Sequence, residues 1–338
     1  MKLILSLITF CCFNVVVAQQ KITVQTEGTN TDIRGLSVVD DSVAWASGSR
    51  GWVATTHNGG KNWKWKQLTE YAKLDFRGLY AFNNKQAIIC NAGSPAHILK
   101  TEDGGETWKV VYTNTDSLAF IDALAFWNEK QGIAIGDPIN GRFLVLLTND
   151  GGTTWTPSDK APAAFKGEAA FAASGTCLRA AKNGLTYMAT GGNVSRLLVS
   201  TNYGLDWASL STPIIQGKSS LGIFSLALST NKTIFICGGD WEKDTLKKDN
   251  YFYSQNGGKS WNKAIQGTNG FRSCIEVLHD KQLIATGTSG TDYSADEGRN
   301  WVSIDKESFN VVQLSRKGNA VYIAGRKGRI GRVDLSVK

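Results

Sequence analysis

Thr56-His57-Asn58-Gly59-Gly60-Lys61-Asn62-Trp63 is the first of six segments that share the pattern Ser/Thr-x-Asp/Asn-x-Gly-x-x-Trp. The others run Thr101–Trp108, Thr148–Trp155, Ser200–Trp207, Ser254–Trp261 and Ser294–Trp301. Their tryptophans are separated by 45, 47, 52, 54 and 40 residues, the length of one four-stranded propeller blade. In each segment the side chain of Asn58, Asp103, Asp150, Asn202, Asn256 or Asp296 is placed to accept backbone N–H bonds inside a tight hairpin turn. The glycine permits the positive φ at which the chain reverses. Trp63, Trp108, Trp155, Trp207, Trp261 and Trp301 then read as staples packed between neighbouring sheets, which leaves five of the eleven tryptophans for other work. Thr148-Asn149-Asp150-Gly151 has the look of a calcium loop, but the glutamate that closes such a loop is missing.

Upstream of each motif the same unit recurs: an apolar strand, a polar turn, a second apolar strand ending in glycine, and a third running into the motif. The first unit reads Gly35-Leu36-Ser37-Val38-Val39, then Asp40-Asp41, then Val43 to Gly48, then Trp52-Val53-Ala54-Thr55. A seventh unit, from Phe309 through Val321–Gly325 to Ile330–Asp334, stops before a seventh motif. Ile22-Thr23-Val24-Gln25-Thr26 is left over near the other end and is well placed to supply the missing outer strand, closing the ring and removing its open edge. The expected fold is all-β: a seven-bladed β-propeller with Asp-box repeats, one domain over residues 19–338.

Residues 1–18 read as a secretory signal, with Lys2 as the positive start, Leu3 to Val17 largely apolar and Ala18 before the cut. The protein is therefore expected outside the cytoplasm, periplasmic or extracellular; acylation at Cys11 or Cys12 is disfavoured because Phe10 stands where a small residue is wanted. No other apolar run is long enough to span a bilayer. Cys90, Cys177, Cys237 and Cys274 lack zinc-site spacing and read as small buried residues, though export leaves disulfides open. Three isolated histidines give no metal site. The net charge of +8, or +7 without Lys2, suggests an anionic partner, and scattered basic residues in an exported chain argue against nucleic acid. Neither a Gly-x-Ser-x-Gly elbow nor a dinucleotide-binding Gly-x-Gly-x-x-Gly with its acidic partner is present, so no cofactor is expected. A monomer is expected.

In a propeller, the loops entering the innermost strands and those joining second and third strands open on one face, opposite the Asp-box turns. Taken blade by blade, the first position is Arg34, Arg77, Asp122, the Glu168 segment, a neutral stretch near Gly222, Arg272 and Asn310. The loops add Arg50, Asp137, Asp240 with Trp241, Asp292 with Tyr293, and Arg326 with Lys327. Arginines so arranged bind carboxylate or phosphate bidentately, with Asp32, Asp75 and Asp122 as orienting partners. Glu168 lies in a long, nearly chargeless loop, Gly167 to Thr176, where a raised pKa would suit a general acid.

These motifs, with Gly136-Asp137-Pro138, Gly167-Glu168-Ala169-Ala170-Phe171-Ala172-Ala173-Ser174-Gly175-Thr176, Gly191-Gly192, Arg272-Ser273 and Gly287 to Ser294, resemble the BNR/Asp-box superfamily. More narrowly they are similar to the bacterial photosystem II stability/assembly factor-like proteins, often labelled oxidoreductase or glycosyl hydrolase in non-photosynthetic bacteria. The resemblance implies a seven-bladed propeller whose arginine patch engages a membrane-protein assembly intermediate, a role open here to Arg34, Arg77 and Arg272. Sialidases are more distant relatives with an arginine triad, and those three arginines match the triad in number. Phe76-Arg77-Gly78-Leu79 departs from the sialidase Phe-Arg-Ile-Pro opening, so no sialidase catalytic residue is carried over. The function expected is a binding or assembly-factor-like module for an anionic peptide, protein or glycan. The alternative is a glycoside hydrolase or lyase using Glu168 with Asp122 or Asp137.

Overall fold

The computed structural model describes residues 20–229, 231–279 and 281–335, and the signal segment read at residues 1–18, with Cys11 and Cys12, lies outside them. Seven antiparallel sheets form the seven blades. Their innermost strands are Ile33–Val38, Phe76–Ala81, Ile121–Phe126, Leu178–Ala180, Leu221–Leu228, Cys274–Val277 and Val311–Leu314. Each touches the next, and the seventh touches the first, so the ring closes around a central channel. The seam is made by Lys21–Thr26, which pairs antiparallel with Ile330–Asp334 and gives blade 7 its outer strand, as the leftover segment implied. Among the described residues no helix is long and apolar enough to cross a membrane.

All six Asp-box turns share one hydrogen-bond cage. The hydroxyl of Thr56, Thr101, Thr148, Ser200, Ser254 or Ser294 accepts from the motif glycine's N–H at 2.8–3.0 Å. It also donates to Oδ1 of the Asp or Asn two residues on, at 2.8–3.1 Å. That oxygen accepts in turn from the N–H four residues further along, at 2.9–3.0 Å. Sequence reading assigned the turn to the Asp/Asn and glycine; the buried hydroxyl is the member it missed. The two central residues are left-handed in every copy, and in two copies the first of them is not glycine: Tyr203 at φ 62° and Glu297 at φ 61°.

The cage fixes where the tryptophan goes. Trp63 meets Tyr322 of blade 7 edge to face, Trp108 meets Trp45 of blade 1, and Trp301 meets Tyr251 of blade 5, so each staples its blade to the one before. Trp261 does the same through its indole N–H, which donates to Ser211 O of blade 4. Between innermost strands the coupling is polar: Ala81 N–H donates to Ser37 Oγ and Ile275 N–H to Ser225 Oγ, each across a blade boundary. Cys274 Sγ both accepts from Val312 N–H and donates to Val312 O. All four cysteines in the described residues are buried and free, which settles the disulfide question left by the sequence.

Removing a cage hydroxyl orphans a buried N–H. Ser294→Ala is expected to cost about 1–3 kcal/mol, whereas Glu297→Gly, which relieves a left-handed non-glycine residue, is expected to stabilise by up to about 1 kcal/mol. Urea denaturation of the two variants beside the parent checks both signs.

Candidate functional site

A β-bulge opens the innermost strand of four blades. The pairing register slips between Ile33 and Gly35, Phe76 and Gly78, Ile121 and Ala123, and Ile223 and Ser225. The residue left unpaired is Arg34, Arg77, Asp122 or Phe224, and a bulge re-aims that side chain. The fifth position is thus Phe224 rather than the neutral stretch near Gly222. Arg272 and Asn310 stand just ahead of their strands.

Arg34 and Arg77, on adjacent blades, are each steadied by an aspartate two residues earlier. Arg34 Nη2 reaches Asp32 Oδ2 at 3.3 Å and Arg77 Nε reaches Asp75 Oδ2 at 2.7 Å. Asn310 holds Asp32 from blade 7 through Nδ2 at 2.6 Å. Arg34 is depressed below its ordinary pKa, chiefly by desolvation and, against the pull of Asp32, by the Arg77 and Arg326 charges. Arg77 gives only Nε to Asp75; among the described residues nothing accepts from its two terminal nitrogens, and its side chain keeps 30% of its exposure. Arg326, in the turn Arg326–Gly328, is exposed beside them.

Buried Asp122 and half-buried Asp137 form a carboxyl pair next to this cluster. Asp122 is wholly buried, and neither of its oxygens accepts a hydrogen bond of good geometry. Burial first, then the Asp137 charge, raises its pKa well above the carboxylate range against the pull of Arg77. Asp137 Oδ1 accepts from Ala170 N–H at 3.1 Å, and burial pushes this group up to about 6. Both lie beneath the long loop before blade 4, which drops into the channel. Ala173 O takes Arg34 Nη1, Ser174 Oγ donates to Ser273 O, and Phe171 stacks on Phe224 with ring centres 3.9 Å apart. A chargeless loop fits this place because it fills the channel.

Glu168 departs most from its sequence reading. It sits in a two-residue strand paired with Gly191–Gly192, ahead of the plug, rather than at the start of an innermost strand. Its carboxylate is fully engaged: Arg196 Nε and Nη2 donate at 2.7 and 2.9 Å, Thr190 Oγ1 at 2.7 Å and Phe165 N–H at 2.8 Å. The charge its own loop lacks comes from Arg196 on blade 4, so Glu168 is a clamp for the loop and not an isolated acid. Arg272 and Asp292 are likewise corrected from ligand contacts to a buried pair. Both side chains are inaccessible, and Asp292 Oδ2 takes Arg272 Nε at 2.9 Å and Nη2 at 2.6 Å. Tyr293 is core, and buried Asp240 caps its own loop by accepting Glu242 N–H. Trp241 is 53% exposed on the loop face. The mouth therefore assembles Arg34, Arg77, Arg326 and Asp137, with Asp122 buried behind them, and excludes Glu168, Arg272, Asp292 and Tyr293.

Residues 14–117 match the family model described as photosynthesis system II assembly factor YCF48, and residues 252–263 match the BNR/Asp-box repeat. The chain is a seven-bladed Asp-box propeller. No curated protein sequence matches this propeller. Its fold is similar to that of a solved structure described as YCF48 bound to D1 peptide, at 14% identity and a TM-score of 0.68, over 94% of this chain and 97% of that one. YCF48 from Cyanidioschyzon merolae gives 14% and 0.67, over 93% and 98%. The GH74 xyloglucanase from Xanthomonas campestris gives 12% and 0.66, covering 92% of the Asp-box propeller and 53% of the enzyme. At such identities the solved structures establish the fold alone.

Two outcomes follow from the electrostatics. Asp137 binds its proton up to about pH 6 in the native state but only to its ordinary 3.8 when unfolded, so the native state gains from acid and loses that gain as pH rises through 6. Asp137→Asn is expected to match the parent below about pH 4 and to exceed its stability by roughly 3 kcal/mol above pH 6, read from thermal melts across pH. Arg272→Met strands a buried carboxylate and is expected to cost about 3–5 kcal/mol in urea denaturation.

Proposed function

We propose that this propeller is a binding module of the assembly-factor kind, working outside the cytoplasm, which captures an anionic peptide, protein segment or glycan at the channel mouth around Arg34 and Arg77. The observation that carries the reading is the pair of bulge arginines on adjacent blades. Each is oriented by its own aspartate, and Arg77 keeps both terminal nitrogens uncommitted. A guanidinium held at Nε presents its other edge as a ready fork for a carboxylate or phosphate. Arg326 adds charge, and Trp241 offers an apolar face on the same side. That one similar structure carries a D1 peptide supports a protein segment over a free small molecule as the partner.

The hydrolase reading draws on the raised Asp122 and Asp137 carboxyls. It fits less well, because Asp122 lies sealed under the plug while glycosidases flank an open cleft with both acids. The deciding experiment titrates labelled acidic and basic peptides, and acidic glycans, against the parent, Arg77→Ala and Arg34→Ala/Arg77→Ala. Acidic ligands are expected to lose about tenfold in affinity with the first substitution and to weaken with salt in the parent. Equal affinity for the double variant and the parent would reject the mouth as the site. Turnover of a glycan abolished by Asp137→Asn would transfer the assignment to the hydrolase.

A further inference from the structure

The plug divides the channel in two. Beyond Ser174 and Gly175, toward the Asp-box face, lies a separate cavity of about 180 Å³, room for about six waters at liquid density. Tyr80, Phe126, Arg179, Glu276, Gln313 and Arg316 line it. Arg179 is neutralised, its Nη2 lying 2.7 Å from Glu276 Oε2 while Nε donates to Leu226 O. Arg316 is not. Its guanidinium donates to Ser37 Oγ and to Ala81 O and lies over the Tyr80 ring at 4.5 Å, all neutral groups. Among the described residues no carboxylate lies within ion-pair distance of it, and the Gln313 amide makes no hydrogen bond. Arg316 is exposed by surface area yet crowded by the channel walls, whose desolvation lowers its pKa. The exposed area is what matters for a ligand: the cation is reachable and faces the cavity.

The rim repeats the charge. The turn between the first and second strands carries an exposed lysine on six successive blades: Lys85, Lys130, Lys182, Lys232, Lys281 and Lys317. None of the six forms a salt bridge among the described residues, and with Arg316 they outnumber the three acids of these turns that the structure describes, Asp40, Asp41 and Glu129. Asp40 and Asp41 are further occupied in capping backbone N–H groups of blades 1 and 7. A rim with an excess of one sign around a low-dielectric well concentrates counter-ions at its mouth.

We propose that the Asp-box end of the channel is a second, independent site, which takes an oxyanion group, carboxylate or phosphate, onto Arg316 and Gln313 under the lysine ring. The oxyanion comes either from a free small molecule or from an anionic lipid headgroup. Inorganic phosphate and acetate at constant ionic strength, against a chloride control, test the first source by calorimetry and thermal shift. Co-sedimentation with vesicles of phosphatidylglycerol in phosphatidylcholine, against phosphatidylcholine alone, tests the second. Binding by either source, weakened at least tenfold by Arg316→Gln and by Gln313→Glu, is expected. Occupied protein should melt roughly 2–4 °C higher. Lys85→Glu/Lys130→Glu/Lys182→Glu, all at exposed turn positions, should weaken binding severalfold and flatten its salt dependence. It also reports on the site should Arg316→Gln fold poorly. Arg34→Ala/Arg77→Ala should bind these probes as the parent does. Absence of binding to phosphate, acetate and vesicles overturns the proposal, as does binding that survives Gln313→Glu but is lost with Arg34 and Arg77.

Discussion

A single buried hydroxyl, repeated six times, governs this molecule. By accepting from the motif glycine and donating to the Asp or Asn beside it, each Ser or Thr locks a turn of two left-handed residues. A turn so fixed has one exit direction, and the tryptophan that follows lands on the preceding blade. The angle between blades is thus set at the rim by short-range hydrogen bonding, long before the channel is considered. The innermost strands are then free to carry bulges and charges that would be costly in a sheet depending on its own pairing for register.

Most of the architecture was legible because its determinants are local. Blade count, strand order and the closing role of Ile22–Thr26 all follow from pattern and spacing, since each motif builds its own turn without help from distant residues. Arg34, Arg77 and Asp122 were legible for the same reason, occupying one equivalent position in a repeated unit. Glu168, Arg272 and Asp292 were misread because their roles depend on partners far along the chain. Arg196 lies 28 residues from Glu168, and Asp292 lies 20 residues from Arg272. A charge that looks free in one dimension is paired in three. The signal that could have found the plug is the length of the Gly167–Thr176 loop together with its lack of charge, which suits burial better than catalysis.

The plug also explains how one short channel holds two unlike environments. On its mouth side, covered by the loop itself, Asp122 and Asp137 sit beside Arg77 where water is scarce, so protons there are held unusually tightly. On its Asp-box side, Arg316 meets only neutral acceptors and an aromatic face among the described residues. A continuous aqueous pore would let these charges screen one another. Ala172, Ala173 and Ser174, all buried, prevent that with small, uncharged residues whose hydrogen bonds tie the loop across the channel to blades 1 and 6.

The outer strand of blade 7 comes from the beginning of the described chain, and its partner Ile330–Asp334 from the end. Lys21 pairs with Asp334, so the seam joins residues more than 300 positions apart. At ribosomal speeds of about 5–20 residues per second, the first strand waits roughly fifteen seconds to a minute for the residues that cover its edge. Throughout that interval the blades already made form an open arc whose first and latest strands both present unpaired edges. Vulnerability to misassembly is therefore concentrated in time, in the young chain, and disappears when the last strand docks.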